Sequence, residues 1–128
     1  TVAGKRILIV DDSIVRGTTL KQLVGMLRKA GAIEVHVRIG CPPIIAPCYY
    51  GVDMKTRDQF IANKHTVDEI CHIIGADSLG YISIDGLVEA IGKSKEDLCL
   101  ACVNGKYPTR IEGEEERFQS KITDGKFE

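Results

Sequence analysis

An excess of one charge is the first thing this sequence lacks: 17 Lys and Arg stand against 18 Asp and Glu, a formal charge of −1 over 128 residues. The whole-chain basic footprint that favours nucleic acid is therefore missing, while local sites for small anions stay open. No apolar run approaches the roughly 20 residues that cross a bilayer. The first residues, TVAGKRILIV, lack the basic start, long apolar middle and small-residue cleavage site of a secretory signal. These absences lead to the expectation of a cytoplasmic protein with neither a membrane nor a nucleic-acid partner. Internal repeats and low-complexity stretches are also missing, and His36, His65 and His72 have no metal-like spacing. Five cysteines are an odd number, read in a reducing compartment as thiols or metal ligands rather than a disulfide framework.

What is present reads as one small α/β domain, able to bury roughly two thirds of its unfolded surface if its core is complete. RILIV (6–10) is a continuous apolar run, the pattern of a parallel strand covered on both faces. Leu20, Leu23, Val24 and Leu27 then share one helical face, with Gly31 as a stop, and VHVRIG (35–40) alternates as a strand. Strand, helix and strand make a βαβ unit, and open α/β sheets take ligands at the carboxyl ends of their strands. Residues 40–55 hold three prolines and read as an ordered loop. Thr56 with Gln59, and Thr66 with Glu69, have capping-box spacing, and Gly75 ends the second of those helices. LGYIS (79–83) is a short strand or an extended connection into DGLVEAIG, and Ser94 with Asp97 is a further helix start just before Cys99 and Cys102. The expected units are residues 1–85, a helical carboxyl-terminal segment 86–111, and a flexible acid-rich tail 112–128.

Between the first strand and helix lies DDSIVRGTT (11–19), which two chemistries can use. In a response-regulator receiver the acidic pair binds a divalent cation and Asp53 takes a phosphoryl group. That reading needs a buried strand before Asp53, where PPIIAPCYYG places prolines without ladder donors, and a helix immediately after the acids, where Gly17 costs about 1 kcal/mol. As a phosphate loop the same residues have a use. Gly17 lets backbone approach an anion, Ser13, Thr18 and Thr19 offer hydroxyls, and the following helix points its unpaired N–H groups at the phosphate. Asp11 and Asp12 would repel that phosphate, so they face sugar hydroxyls and Mg²⁺. Sugar at one end and phosphate at the other describes a ribose 5-phosphate.

ILIVDDSIVRGTT resembles the phosphoribosyl pyrophosphate (PRPP) loop of the type I phosphoribosyltransferases, in the version found in the glutamine amidophosphoribosyltransferases. GAIEVHVRI, PPIIAPCYYGVDM, IGADSLGYIS, GLVEAIG and CLACVNGKYPT continue the resemblance, in order, over about residues 4–110. It implies a partial type I phosphoribosyltransferase fold, a parallel sheet with flanking helices, plus the helical carboxyl-terminal segment. The implied activity is a glycosyltransferase reaction of purine synthesis, in which PRPP, glutamine and water give 5-phosphoribosylamine, glutamate and pyrophosphate. By the same resemblance Asp11 and Asp12 bind Mg²⁺ and ribose hydroxyls, and the loop from Ser13 to Thr19, with Arg16, Gly17 and Thr18 inside it, cradles the 5-phosphate. Purine nucleotides are the implied regulatory ligands, and a homo-oligomer the implied full-length state.

CxxC spacing at Cys99 and Cys102 is by itself ambiguous among redox, zinc and iron-sulfur roles. The resemblance implies that Cys48, Cys99 and Cys102 supply three ligands of a [4Fe-4S] cluster whose fourth ligand lies outside this chain. Cys41 and Cys71 are read as packing residues, and Lys106 as solvated or bonded locally. The family's glutaminase and upstream phosphoribosyltransferase segments are expected to be missing, so the isolated chain is expected to be inactive and to bind PRPP weakly at most, with a sheet edge or face left uncovered. A non-catalytic domain that binds PRPP or nucleotide for regulation remains an alternative.

Overall fold

The computed structural model describes residues 1–52 and 57–113. Three parallel strands, β1 (Arg6–Asp11), β2 (Glu34–Ile39) and β3 (Ser78–Tyr81), form one sheet in the order β1-β2-β3. Arg6 pairs with Glu34 and Asp11 with Ile39, while His36 pairs with Ser78 and Ile39 with Tyr81, so all three strands end level. Helix α1 (Thr18–Lys29) crosses from β1 to β2 and α2 (Val67–Ile74) leads into β3. The expected βαβ unit is there, and LGYIS resolves into a strand whose last bond, from the Ile82 amide to the Ile39 carbonyl, is 3.0 Å.

The core lies between the sheet and these two helices. Val35, Val37 and Ile39 pack with Leu20 and Val24 of α1 and Ile70 and Ile74 of α2, all at most 3% exposed. Leu27 packs against this cluster, whereas Leu23, on the same sequence-predicted face, stays 37% exposed at its margin. Both helices end as their glycines require: Gly31, after Ala30, has φ 92°, and Gly75 caps α2 at φ 78°. Thr66 and Glu69 form a reciprocal capping box at the start of α2. Arg28 on α1 and Asp77 before β3 form a 2.7 Å ion pair, and Asp77 also accepts the Val35 amide at 2.6 Å. The Val35 bond first, then Arg28, holds the Asp77 carboxyl below its usual range.

The expected helix start at Thr56 lies outside the described residues; beyond it Arg57–Gln59 and Ile61–Asn63 are single 3₁₀ turns. They are kept apart by the extended Phe60 (φ −81°, ψ 110°), whose ring is 1% exposed, so burying one aromatic interrupts the helix. Ser94 opens only the 3₁₀ turn Lys95–Asp97, because its hydroxyl bonds the Glu96 carboxylate instead of a backbone amide. Helices α3 (Ile84–Ile91) and α4 (Ala101–Asn104) make the carboxyl-terminal part helical. No strand forms in residues 41–52, as the prolines dictate; Asp53 and residues 114–128 of the expected tail lie outside the described residues. Among the described residues no helix is long and apolar enough to cross a membrane.

Candidate functional site

Strand β1 delivers Asp11 to the carboxyl edge of the sheet, where its carbonyl takes the Gly40 amide at 2.9 Å and closes the ladder. Its side chain then turns back: Asp11 Oδ1 accepts the Asp12 amide at 2.9 Å, and the Ser13 hydroxyl donates to Asp12 Oδ1, also at 2.9 Å. Each carboxylate uses one oxygen locally and keeps acceptor capacity on the other, which suits a hard cation or a row of hydroxyls.

The loop is fixed beneath its ligand face. Ile14 is 3% exposed, and the Val15 carbonyl accepts the Ile61 amide at 2.9 Å. Gly17 is the N-cap of α1 with φ 78°, and a Cβ there would sit 3.2 Å from Ile61 Cδ1 and 3.5 Å from Ile74 Cγ2. No side chain caps α1 and no acid stands in its first turn. Lys21 is the first residue to donate back, to the Gly17 carbonyl at 2.9 Å, so the amides before it have no intrahelical acceptor. Residues 11–20 line a cavity of about 510 Å³. An uncapped helix end facing hydroxyls of Thr18 and Thr19 makes one side attractive to an anion, and the two carboxylates make the other side attractive to cations and hydroxyls.

Every loop residue singled out from sequence thus belongs to one cavity wall. The Arg16 guanidinium, however, bonds the Gln59 side chain, 43 residues away. Gln59 and Ile61, which brace the loop from the 3₁₀ turns, were not read as site residues from sequence: Gln59 entered only in a capping-box spacing, and neither has a motif linking it to residues 11–20.

A second cluster forms where the proline-rich loop meets the carboxyl-terminal segment. The Ile45 and Ala46 amides donate to the Cys102 carbonyl at 2.9 and 3.1 Å. The Tyr107 hydroxyl donates to the Pro47 carbonyl at 2.8 Å, the Tyr50 and Thr109 hydroxyls are 2.8 Å apart, and the Tyr49 and Tyr107 rings pack at 5.2 Å. Cys48 is thereby carried toward Cys99 and Cys102. Burial first, and then the nearby Cys48 and Cys99 sulfurs, push the Cys102 thiol up. Three thiols are the right donors in kind for an iron-sulfur centre. As placed, no group of three His, Cys, Asp or Glu among the described residues converges on a metal position. Cys41 packs against the core, while Cys71 donates from its thiol to the Ala76 carbonyl at 3.3 Å. The Lys106 amide bonds Asn104 locally at 2.8 Å.

No family model matches the chain. It is 63% identical over 108 residues to an amidophosphoribosyltransferase of Methanocaldococcus jannaschii, covering 84% of this chain and 22% of that protein. It is 57% identical over 116 residues to the one of Archaeoglobus fulgidus, covering 89% of this chain and 25% of that protein. A solved Bacillus subtilis glutamine PRPP amidotransferase, complexed with ADP and GMP, superimposes with a TM-score of 0.82 at 52% identity, over 89% of this chain and 26% of that one. The chain therefore spans about a quarter of the length of the relatives it matches.

Proposed function

With the chain established as the counterpart of about a quarter of an amidophosphoribosyltransferase, we propose that it supplies the PRPP site of such an enzyme. The whole reaction replaces the pyrophosphate of PRPP with ammonia from glutamine, giving 5-phosphoribosylamine, glutamate and pyrophosphate as the first committed step of purine synthesis. One observation carries the reading: an uncapped helix end closed by Gly17 directly follows two carboxylates at the end of a parallel strand.

The 5-phosphate lies on the first-turn amides of α1 and the hydroxyls of Ser13, Thr18 and Thr19, at about 1.5–3 kcal/mol for each charged hydrogen bond. Asp11 and Asp12 accept from the ribose hydroxyls and would hold Mg²⁺, which when bound would supply positive charge beside the pyrophosphate. Fixing the sugar at both ends leaves its anomeric carbon facing the nucleophile, and this positioning lowers the barrier without a covalent intermediate. A purine nucleoside 5′-monophosphate carries the same ribose 5-phosphate, so this loop also accepts purine nucleotides. We place the complete enzyme in the cytoplasm as a homo-oligomer.

Mg²⁺-dependent binding of PRPP, followed by isothermal titration, is expected for this chain and is expected to vanish in the Asp11→Asn, Asp12→Asn double variant. Equal affinity with and without the carboxylates would remove the reading.

Cys48, Cys99 and Cys102 are proposed to hold a [4Fe-4S] cluster with a fourth ligand from outside this chain, tying the carboxyl-terminal segment to the rest of the enzyme. Anaerobically prepared full-length protein is expected to contain equal amounts of iron and sulfide, and Cys99→Ser to lower both. Full-length protein free of iron and sulfide would refute this assignment.

A further inference from the structure

Three consecutive residues of the loop are held from outside it. The Val15 carbonyl accepts the Ile61 amide at 2.9 Å, the Arg16 guanidinium donates through Nη2 to Gln59 Oε1, and a Cβ on Gly17 would lie 3.2 Å from Ile61 Cδ1. Between the two bracing residues stands Phe60, 1% exposed. Its amide donates to the Arg57 carbonyl at 3.2 Å and closes the turn that carries Gln59, so buried structure presents this carboxamide to Arg16.

Stronger partners for Arg16 stand close by in its own loop. Asp11 and Asp12 line the same cavity wall, and each has one oxygen engaged locally and the other open. A guanidinium meets a carboxylate with two parallel charge-assisted hydrogen bonds, whereas a carboxamide offers it a single neutral oxygen. Yet neither acid pairs with Arg16 among the described residues, and its bond goes to Gln59. An Arg16–carboxylate pair would place a cation where the site needs acceptors, and Mg²⁺ and sugar hydroxyls would have to displace it.

We infer that Gln59 is a positioning residue of the PRPP site: by engaging the Arg16 guanidinium it keeps this cation off Asp11 and Asp12 and leaves both carboxylates open to Mg²⁺ and the ribose hydroxyls. The inference rests on the PRPP reading above and extends it to a residue 43 positions from Arg16 along the chain. What the task requires at position 59 is an acceptor. A carboxylate there would serve as well, and an apolar side chain of similar size would not.

PRPP binding to this chain, followed by isothermal titration over a range of Mg²⁺ concentrations, gives the first test. Gln59→Leu keeps the bulk of the side chain and removes its acceptor. It is expected to raise the half-saturating Mg²⁺ concentration about threefold to fivefold, the scale of an exposed ion pair, and the effect is expected to shrink as salt is added. Gln59→Glu is expected to stay within about twofold of the parent chain. Adding Arg16→Met to Gln59→Leu is expected to recover most of the lost Mg²⁺ affinity, which a purely structural role of Gln59 would not allow. An unchanged Mg²⁺ requirement in Gln59→Leu would overturn the inference. So would a double variant needing as much Mg²⁺ as Gln59→Leu or more.

The ligand-free chain supplies a second test that needs no PRPP. In Gln59→Leu the Arg16 Nε–H proton resonance is expected to move downfield as the guanidinium meets a carboxylate, and to move back once Asp11→Asn and Asp12→Asn are added. A resonance indifferent to the two acids would overturn the inference. Failure of the parent chain to bind PRPP with Mg²⁺ would instead sink the functional reading and leave this second measurement intact.

Discussion

Gly17→Val is expected to destabilise the chain by about 2–5 kcal/mol and to lower PRPP affinity more than tenfold. Gly17 has φ 78°, which costs an L-residue roughly 1–2 kcal/mol, and the new Cβ would lie 3.2 Å from Ile61 Cδ1. Overpacking of this kind adds about 1–3 kcal/mol. The strain falls where the loop turns into α1, so relieving it moves the first-turn amides off the position proposed for the phosphate. Urea unfolding checks the first effect, through a lower midpoint at unchanged slope. Titration with PRPP and Mg²⁺ below the unfolding transition checks the second. A valine variant that keeps both midpoint and affinity would show that the turn does not set the site.

Phe60→Ala is expected to cost about 3–5 kcal/mol, a large part of the 5–15 kcal/mol that holds a small domain folded. The ring is 1% exposed and stands between two 3₁₀ turns that do separate jobs. The first carries Gln59, which holds Arg16; the second carries Ile61, whose amide holds the loop carbonyl of Val15. Just beyond, Asn63 Nδ2 reaches the Ile45 carbonyl at 3.0 Å and so anchors the segment leading to Cys48. Truncation is therefore expected to speed amide hydrogen exchange at Ile61 as well as to lower the unfolding midpoint. Phe60→Leu should lose much less of both. Comparable losses from alanine and leucine would point to ring-specific contacts instead of filled volume.

Much of this was legible in one dimension because the signals are local. The apolar run of β1, the 3.6-residue period of α1, the glycines at 31 and 75 and the Thr66/Glu69 box each specify backbone geometry within a few residues, and each occurs as expected. The loop of residues 11–20 was readable for the same reason: its ten residues form a continuous cavity wall, so order along the chain is order in space. Ser94 shows where local rules give way: it has a competing carboxylate two residues on, and a single 3₁₀ turn replaces a helix there.

Sequence alone determined the parallel strands, the helix between them and the local geometry of residues 11–19, because short-range sterics and hydrogen bonding act between neighbours along the chain. Only the tertiary structure decided what depends on residues far apart meeting: Arg16 bonded to Gln59, Tyr107 drawing the Cys48 loop onto Cys102, and a sheet with one face packed and the other open at Leu8 and Val10. RILIV reads as a strand buried on both sides because its composition reports a preference for burial. Which face is covered, and by what, depends on the packing partners that fold against it.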